Sequence, residues 1–391
     1  MENIIWSTGH RLILNDIVKA RNCELSDAAG NRYIDMESGV WCTSVGHCNP
    51  RINSVMISQL KRITHTGFNY CNPVLETAAG KVLETTGFPG GKCEFLCSGS
   101  EAVEYCIRAA KAIRPDAMML TFSDSYFGAY GEAARQDSKE WYRYNRYDCT
   151  CNSGGEGCRG DCEEFSKIPF DRIGIFVFEP GSSSGLVRFP STKLIRRIAE
   201  KIRENNGLII INEVTTGAGR TGKWFGFQHY DLEPDMIATG KGIGNGYPVS
   251  VAAISERAAR LLEKSHFHYS QSHQNDPLGA TVVNEVIGTI NDEKLVERSR
   301  SLGEKLMTSL ENMIKPGSIL KEIRGRGLMI AIEFTRDAGQ VQEELVRRGF
   351  IVAKRSAHEV LRIDPALTIK EKDIDQFLVS LDEIIKNLTT G

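Results

Sequence analysis

No uninterrupted apolar run in this 391-residue chain approaches the ~20 residues that a bilayer-crossing helix needs. The first residues, Met1 to Gly9, lack a basic stretch followed by an apolar block, so a cytoplasmic location is expected. Net charge is equally scarce: 48 basic side chains nearly cancel 50 acidic ones, for a formal charge of -2. Without a concentrated basic surface the chain has little to hold a phosphate backbone with, which argues against a nucleic-acid partner. Proline numbers only 12, and the absence of a Pro-rich linker or internal repeat implies parts that pack tightly. What is present, 41% hydrophobic and 25% charged residues, is ordinary globular composition, long enough for about two domains with a sizeable core.

Short apolar runs bounded by turn residues alternate with amphipathic stretches, the pattern of an α/β protein. The pattern predicts strands over 117–122, 173–178, 207–211 and 236–239, and helices over 100–114, 193–204, 276–291 and 294–313. The last third changes character, with strands expected over 328–334 and 349–353 and a closing amphipathic helix over 374–388. A large domain over 51–290 follows, with a smaller α+β domain over 291–391 that the N-terminal segment 1–50 joins.

Three short stretches carry the chemistry. Asp235-Met236-Ile237-Ala238-Thr239-Gly240-Lys241-Gly242 puts a lysine at the end of an apolar strand, where lost hydration favours the neutral amine that a Schiff base requires. Taken alone, the same pattern fits a surface lysine in a turn. Ser98-Gly99-Ser100-Glu101 has capping-box spacing at a helix start, so free amides there suit a phosphate, although a capped helix without a ligand reads the same way. Leu208-Ile209-Ile210-Ile211-Asn212 ends an apolar strand on a polar group, and open α/β sheets bind ligands beyond the carboxyl ends of their strands. Together the three describe a site for pyridoxal 5'-phosphate.

Over nearly its whole length the sequence resembles the class III aminotransferases, pyridoxal-phosphate enzymes of fold type I. The matching stretches include Ser38-Gly39-Val40-Trp41, Gly46-His47-Cys48-Asn49-Pro50, Ser98-Gly99-Ser100-Glu101-Ala102, Glu179-Pro180, Asn212-Glu213-Val214, Lys241-Gly242-Ile243-Gly244-Asn245-Gly246 and Arg324-Gly325-Arg326-Gly327-Leu328. The resemblance implies a mixed, mostly parallel seven-stranded sheet. It also implies an aldimine on Lys241, which moves the proton at the substrate Cα, and a phosphate held by Gly99 and Ser100. Tyr126 and Val214 would flank the pyridine ring, with Phe127 and Glu179 also at the cofactor. Ser272 would reach the phosphate of a neighbouring subunit, making a homodimer with shared sites, and Arg362 would take the substrate α-carboxylate. Trp41 resembles the aromatic residue of ω-amine transaminase pockets, though a plain core role is equally open. The expected reaction moves an amino group from an amino acid or ω-amine to a 2-oxo acid.

The sequence departs from the family at two places. Asn212 stands where the family has an aspartate beneath the pyridine nitrogen, and a missing close ion pair is worth up to roughly 4 kcal/mol at an effective dielectric of about 20. That keeps open a racemase or aminomutase on the same scaffold, or a non-catalytic cofactor-binding protein. Ser184 stands where relatives acting on ornithine or 4-aminobutyrate place a glutamate, so Arg362 is expected to be uncovered. Finally, an insertion near 145–165 holds Cys149, Cys151, Cys158 and Cys162, which could bind a tetrahedral metal or remain reduced thiols. The other seven cysteines read as buried free thiols, and His266, His268 and His273 are better explained by a dimer-contact stretch than by a metal.

Overall fold

The computed structural model describes residues 3–148, 157–182, 184–355 and 357–390. Near the N-terminus lie β1 (Ile17–Arg21), β2 (Glu24–Asp27) and β3 (Arg32–Asp35). The central strands are β4 (Lys92–Leu96), β5 (Met118–Phe122), β6 (Trp141–Tyr144), β7 (Ile173–Phe178), β8 (Leu208–Asn212), β9 (Met236–Thr239) and β10 (Ser250–Ile254). The C-terminal part adds β11 (Leu320–Arg326), β12 (Met329–Phe334), β13 (Phe350–Ile351), β14 (Ala353–Lys354) and β15 (Val360–Ile363).

The central sheet has seven strands in the order β4-β10-β9-β8-β7-β5-β6. Five of them, β9 through β6, pair in parallel, whereas β10 runs antiparallel to both β4 and β9. Strands β7 and β8 are buried at every residue, because helices cover both faces of a parallel sheet and leave no solvent side on which polar residues could alternate. One apolar cluster, holding Phe176, Ile209 and Ile211, lies on one face. A second, holding Val177, Leu208 and Ile210, lies on the other with the helix Gly99–Ile113. All the parallel strands therefore present their carboxyl ends along one edge, and that edge receives Glu179, Asn212 and Lys241.

A four-stranded antiparallel sheet, β11-β12-β15-β14, forms the C-terminal layer. Strand β13 joins the N-terminal strands instead, pairing Phe350 with Ile34 in parallel. The stretch expected as one strand over 349–353 thus divides between two sheets at the buried Val352. The long apolar elements lie within a residue or two of the expected bounds, except that the closing helix, Glu371–Thr390, begins three residues earlier. The sequence expectations do not include strands β1 to β4, β6 and β10, each only four or five residues long.

Candidate functional site

Three backbone segments meet where a side chain would not fit. A Cβ built on Gly99 would lie 2.5 Å from Val214 Cγ1, and one on Gly240 would lie 3.1 Å from the Gly99 Cα. The helix start after β4, the turn after β8 and the end of β9 are therefore in contact. Ser98 caps the helix by accepting from Glu101 N at 3.2 Å. The Gly99 and Ser100 amides donate to no group among the described residues, so two N–H groups at the positive end of a 15-residue helix remain for an anion. Ser100 Oγ accepts from Ala129 N at 3.1 Å, which holds the Tyr126 to Ala129 loop beside this seat.

Lys241 follows directly, at φ 47° in a tight 3₁₀ turn with Gly242 pressed against Ser44. Its Nζ lies 4.8 Å from the centre of the Trp41 ring and pairs with no carboxylate among the described residues. Burial holds its pKa below the usual lysine value. The loss of hydration outweighs the pull of Glu179 and Asp364, which on their own would raise it.

Asn212 is buried at the end of β8 with its amide orientation fixed by its partners. Oδ1 accepts from Val214 N at 3.1 Å, while Nδ2 donates to the Tyr126 carbonyl at 3.1 Å and to Glu179 Oε1 at 3.4 Å. Only a lone pair on Oδ1 is left for a ligand. Tyr126 is half exposed beside the seat, whereas the Phe127 ring does not face it. That ring is buried in the second apolar cluster, stacked on Trp141 at 5.8 Å, because its backbone position turns it toward the sheet.

Trp41 reaches Lys241 through an unusual backbone. Ser38, Gly39, Val40 and Trp41 all have φ between 45° and 65°, a left-handed turn that costs roughly 1–2 kcal/mol for each non-glycine residue. Asp35 supports it by accepting from Glu37 N at 2.9 Å and Gly39 N at 3.0 Å, and Ser38 Oγ donates to the Asp364 carbonyl at 2.7 Å. Such strain persists only where the surroundings over-determine it, as they do here.

Arg362 is held on one face and at Nε, while its two terminal nitrogens stay unpaired among the described residues. Its guanidinium lies 3.8 Å over the Trp41 ring, and its Nε is 3.5 Å from the fully buried carboxylate of Asp364. Asp364 and Trp41 thus hold the Nε side and one face of the guanidinium. The two terminal nitrogens form no ion pair among the described residues, which leaves the bidentate edge open to a carboxylate. Burial pushes Glu37 up to about 7, with Asp35 adding to the rise and Arg362 opposing it. Arg220, also fully buried, bonds the Leu328 and Pro365 carbonyls and Ser38 Oγ.

Sequence reasoning missed Glu37, Arg220 and Asp364. Arg220 lies in Gly217-Ala218-Gly219-Arg220-Thr221-Gly222, and an arginine among glycines is the signal that could have found it. Ser272 lies in an exposed loop. Of the insertion, Cys149 and Cys151 fall outside the described residues. Cys158 is buried and its Sγ is 3.8 Å from that of Cys162 and 3.3 Å from the Tyr144 hydroxyl. Cys48 and Cys71 are exposed, so not every lone cysteine is a buried thiol. An open cavity of about 650 Å³ beside Arg114, Lys139 and Asp171 lies at the amino ends of β5 and β7, the wrong edge of the sheet for this chemistry.

The donor set and the glycine-lined cradle fit a phosphorylated aldehyde cofactor. Comparison with known proteins agrees. The family profile described as aminotransferase class-III matches residues 5–385. An ornithine aminotransferase of Exiguobacterium sp. is 27% identical over 94% of this chain and 92% of its own length. A leucine/methionine racemase of Thermococcus litoralis is 28% identical over 96% and 91%. A solved structure of a Bacillus anthracis aminotransferase superposes with a TM-score of 0.89 at 23% identity, covering 99% of this chain and 97% of that one.

Proposed function

The chain belongs to the class III aminotransferase family and is a pyridoxal-phosphate-dependent aminotransferase; from that premise we propose that Lys241 is its catalytic amine and that its substrates meet at the Trp41–Arg362 pair. The observation that carries this reading is the Lys241 amine itself, desolvated and, among the described residues, without a carboxylate partner, beside a helix start whose Gly99 and Ser100 amides donate to no described group. When bound, pyridoxal phosphate supplies an aldehyde that condenses with amines and a ring that takes up the electrons released at the substrate Cα.

The chain's own residues then divide the work. Gly99 and Ser100 N–H groups, with Ser100 Oγ nearby, hold the phosphate. Val214 and Tyr126 would flank the bound ring, and Asn212 Oδ1 would accept from the ring nitrogen when that carries a proton. Lys241 Nζ would take the Cα proton and return it, and burial, which lowers its pKa, favours the neutral amine that this requires. Arg362 orients the substrate α-carboxylate through its two terminal nitrogens. Ser184 and the Trp41 ring favour an apolar or bulky donor over a second charged group. Ser272, exposed here, serves the neighbouring subunit's phosphate. The exposed Ile5, Ile57, Leu60, Phe68 and Tyr70 support a homodimer. Free thiols among the described residues support a reducing, cytoplasmic setting.

Borohydride treatment followed by peptide mapping tests the assignment: the tag is expected on the peptide containing Lys241, and a tag elsewhere or none removes the proposal. A second reading, racemisation, is favoured by Asn212 together with the similarity to the racemase. Chiral analysis of an amino-acid panel, with and without a 2-oxo acid, distinguishes the two.

A further inference from the structure

A second cavity of about 800 Å³ lies apart from Lys241, between the helix Thr192–Glu204, strand β11 and the loop 186–190. Its size falls within the roughly 300–1,000 Å³ of small-molecule sites. Four arginines line it, Arg146, Arg188, Arg324 and Arg326, together with Lys193. Among the described residues three carboxylates answer these five cations. Asp124 pairs with Arg146 at 2.9 Å, while Glu322 and Glu333 pair with Arg324 at 2.9 and 2.6 Å, Glu333 also reaching Arg188 at 3.4 Å. Arg326 has no carboxylate partner there; it lies 4.6 Å from the Phe189 ring and 5.2 Å from the Tyr230 ring.

Two further observations point to a missing acceptor. Arg146 Nε, Arg324 Nη2 and Arg326 Nη1 are shielded from water and have no hydrogen-bond partner among the described residues, and the side chains of Arg146 and Arg324 are about nine-tenths buried. Buried guanidinium N–H groups ordinarily have acceptors. The cavity also receives the N-terminus of the 13-residue helix Thr192–Glu204, whose first turn contains no acidic residue. Ser191 caps Leu194 N at 3.2 Å, and the Thr192 and Lys193 amides donate to nothing among the described residues. Surplus cations, unpaired buried donors and a helix start converge on one space.

We propose that this cavity binds a small organic anion carrying at least two negative charges, a phosphate ester or a polycarboxylate, as an effector site separate from the cofactor seat. Val187 lines the cavity and packs in one apolar cluster with Trp41, the ring that contacts Lys241 and Arg362. Occupancy is thereby linked to the substrate pocket through that apolar cluster, which also holds Met329, Ala331 and Val360, and such coupling is reciprocal.

Calorimetric titration of the cofactor-saturated full chain, with pyrophosphate and separately with citrate at constant ionic strength, tests the site. The cofactor then fills the Gly99 seat, so a second anion has to bind elsewhere. Saturable binding of one anion per chain is expected, weakened at least about tenfold by Arg326→Met and by the exposed Lys193→Met, which leaves the fold unperturbed. Pyrophosphate alone identifies phosphate esters, citrate alone polycarboxylates. No saturable heat from either up to about 10 mM, or binding that both variants leave unchanged, overturns the proposal. The outcome does not depend on which amino donor the enzyme uses.

Discussion

Asn212 and Glu179 face each other from the carboxyl ends of the paired strands β8 and β7, the Asn212 amide donating to Glu179 Oε1 across 3.4 Å. Replacing Asn212 with Asp would set a second carboxylate against Glu179 and against the Tyr126 carbonyl, with both donations lost. Asn212→Asp is expected to destabilise the cofactor-free protein by about 1–3 kcal/mol, with pyridoxal phosphate restoring part of the loss. Melting curves with and without cofactor measure this, and an unchanged cofactor-free curve would contradict it. Half-reaction rates on the same variant report whether the chemistry responds to the charge.

Gly99 is required by space and not by backbone angle, since its Cβ would meet Val214 at 2.5 Å. Gly99→Ala is expected to push Val214 off the ring face and weaken cofactor binding at least about tenfold, with little change in circular dichroism. Retained affinity, measured by cofactor absorbance after dialysis, would show that the cradle lies elsewhere.

The Glu37 carboxyl titrates at about 7, held up first by burial and then by Asp35, and Arg362 is the cation that opposes the rise. As pH climbs through 7 Glu37 gains a negative charge close to Arg362, which competes with a substrate carboxylate. KM for a carboxylate-bearing donor should therefore rise from pH 6 to pH 8, and Glu37→Gln should flatten that profile. A parent KM that is constant over the range, after correction for the donor's own ionisation, would refute the competition.

Shared sites can be read by complementation. Mixed dimers of Lys241→Ala and Ser272→Ala chains place one intact site beside one doubly impaired site. Activity of the mixture should exceed that of either parent variant by several fold if Ser272 serves the other subunit. A mixture whose activity falls between the two parents, with Ser272→Ala alone fully active, would place Ser272 outside the site.

The sequence alone determined the elements that depend on local pattern. Buried strands such as β7 and β8 are legible because parallel strands covered on both faces must be continuously apolar. Lys241, Asn212 and the Ser98–Glu101 helix start are legible because strand ends and caps have short-range signatures. Tertiary structure decided the rest. Arg362 finds Asp364 and Trp41 through a left-handed turn that no local propensity favours, held by Asp35 from a neighbouring strand and by contacts of Ser38 with Asp364 and Arg220. Phe127 turns into the core because Trp141 offers a ring to stack on. The arginine-lined cavity joins residues from 146 to 326, and no sequence window spans that distance. Local signals report what a residue can do; its partners, and hence its charge and accessibility, are set by contacts between distant segments.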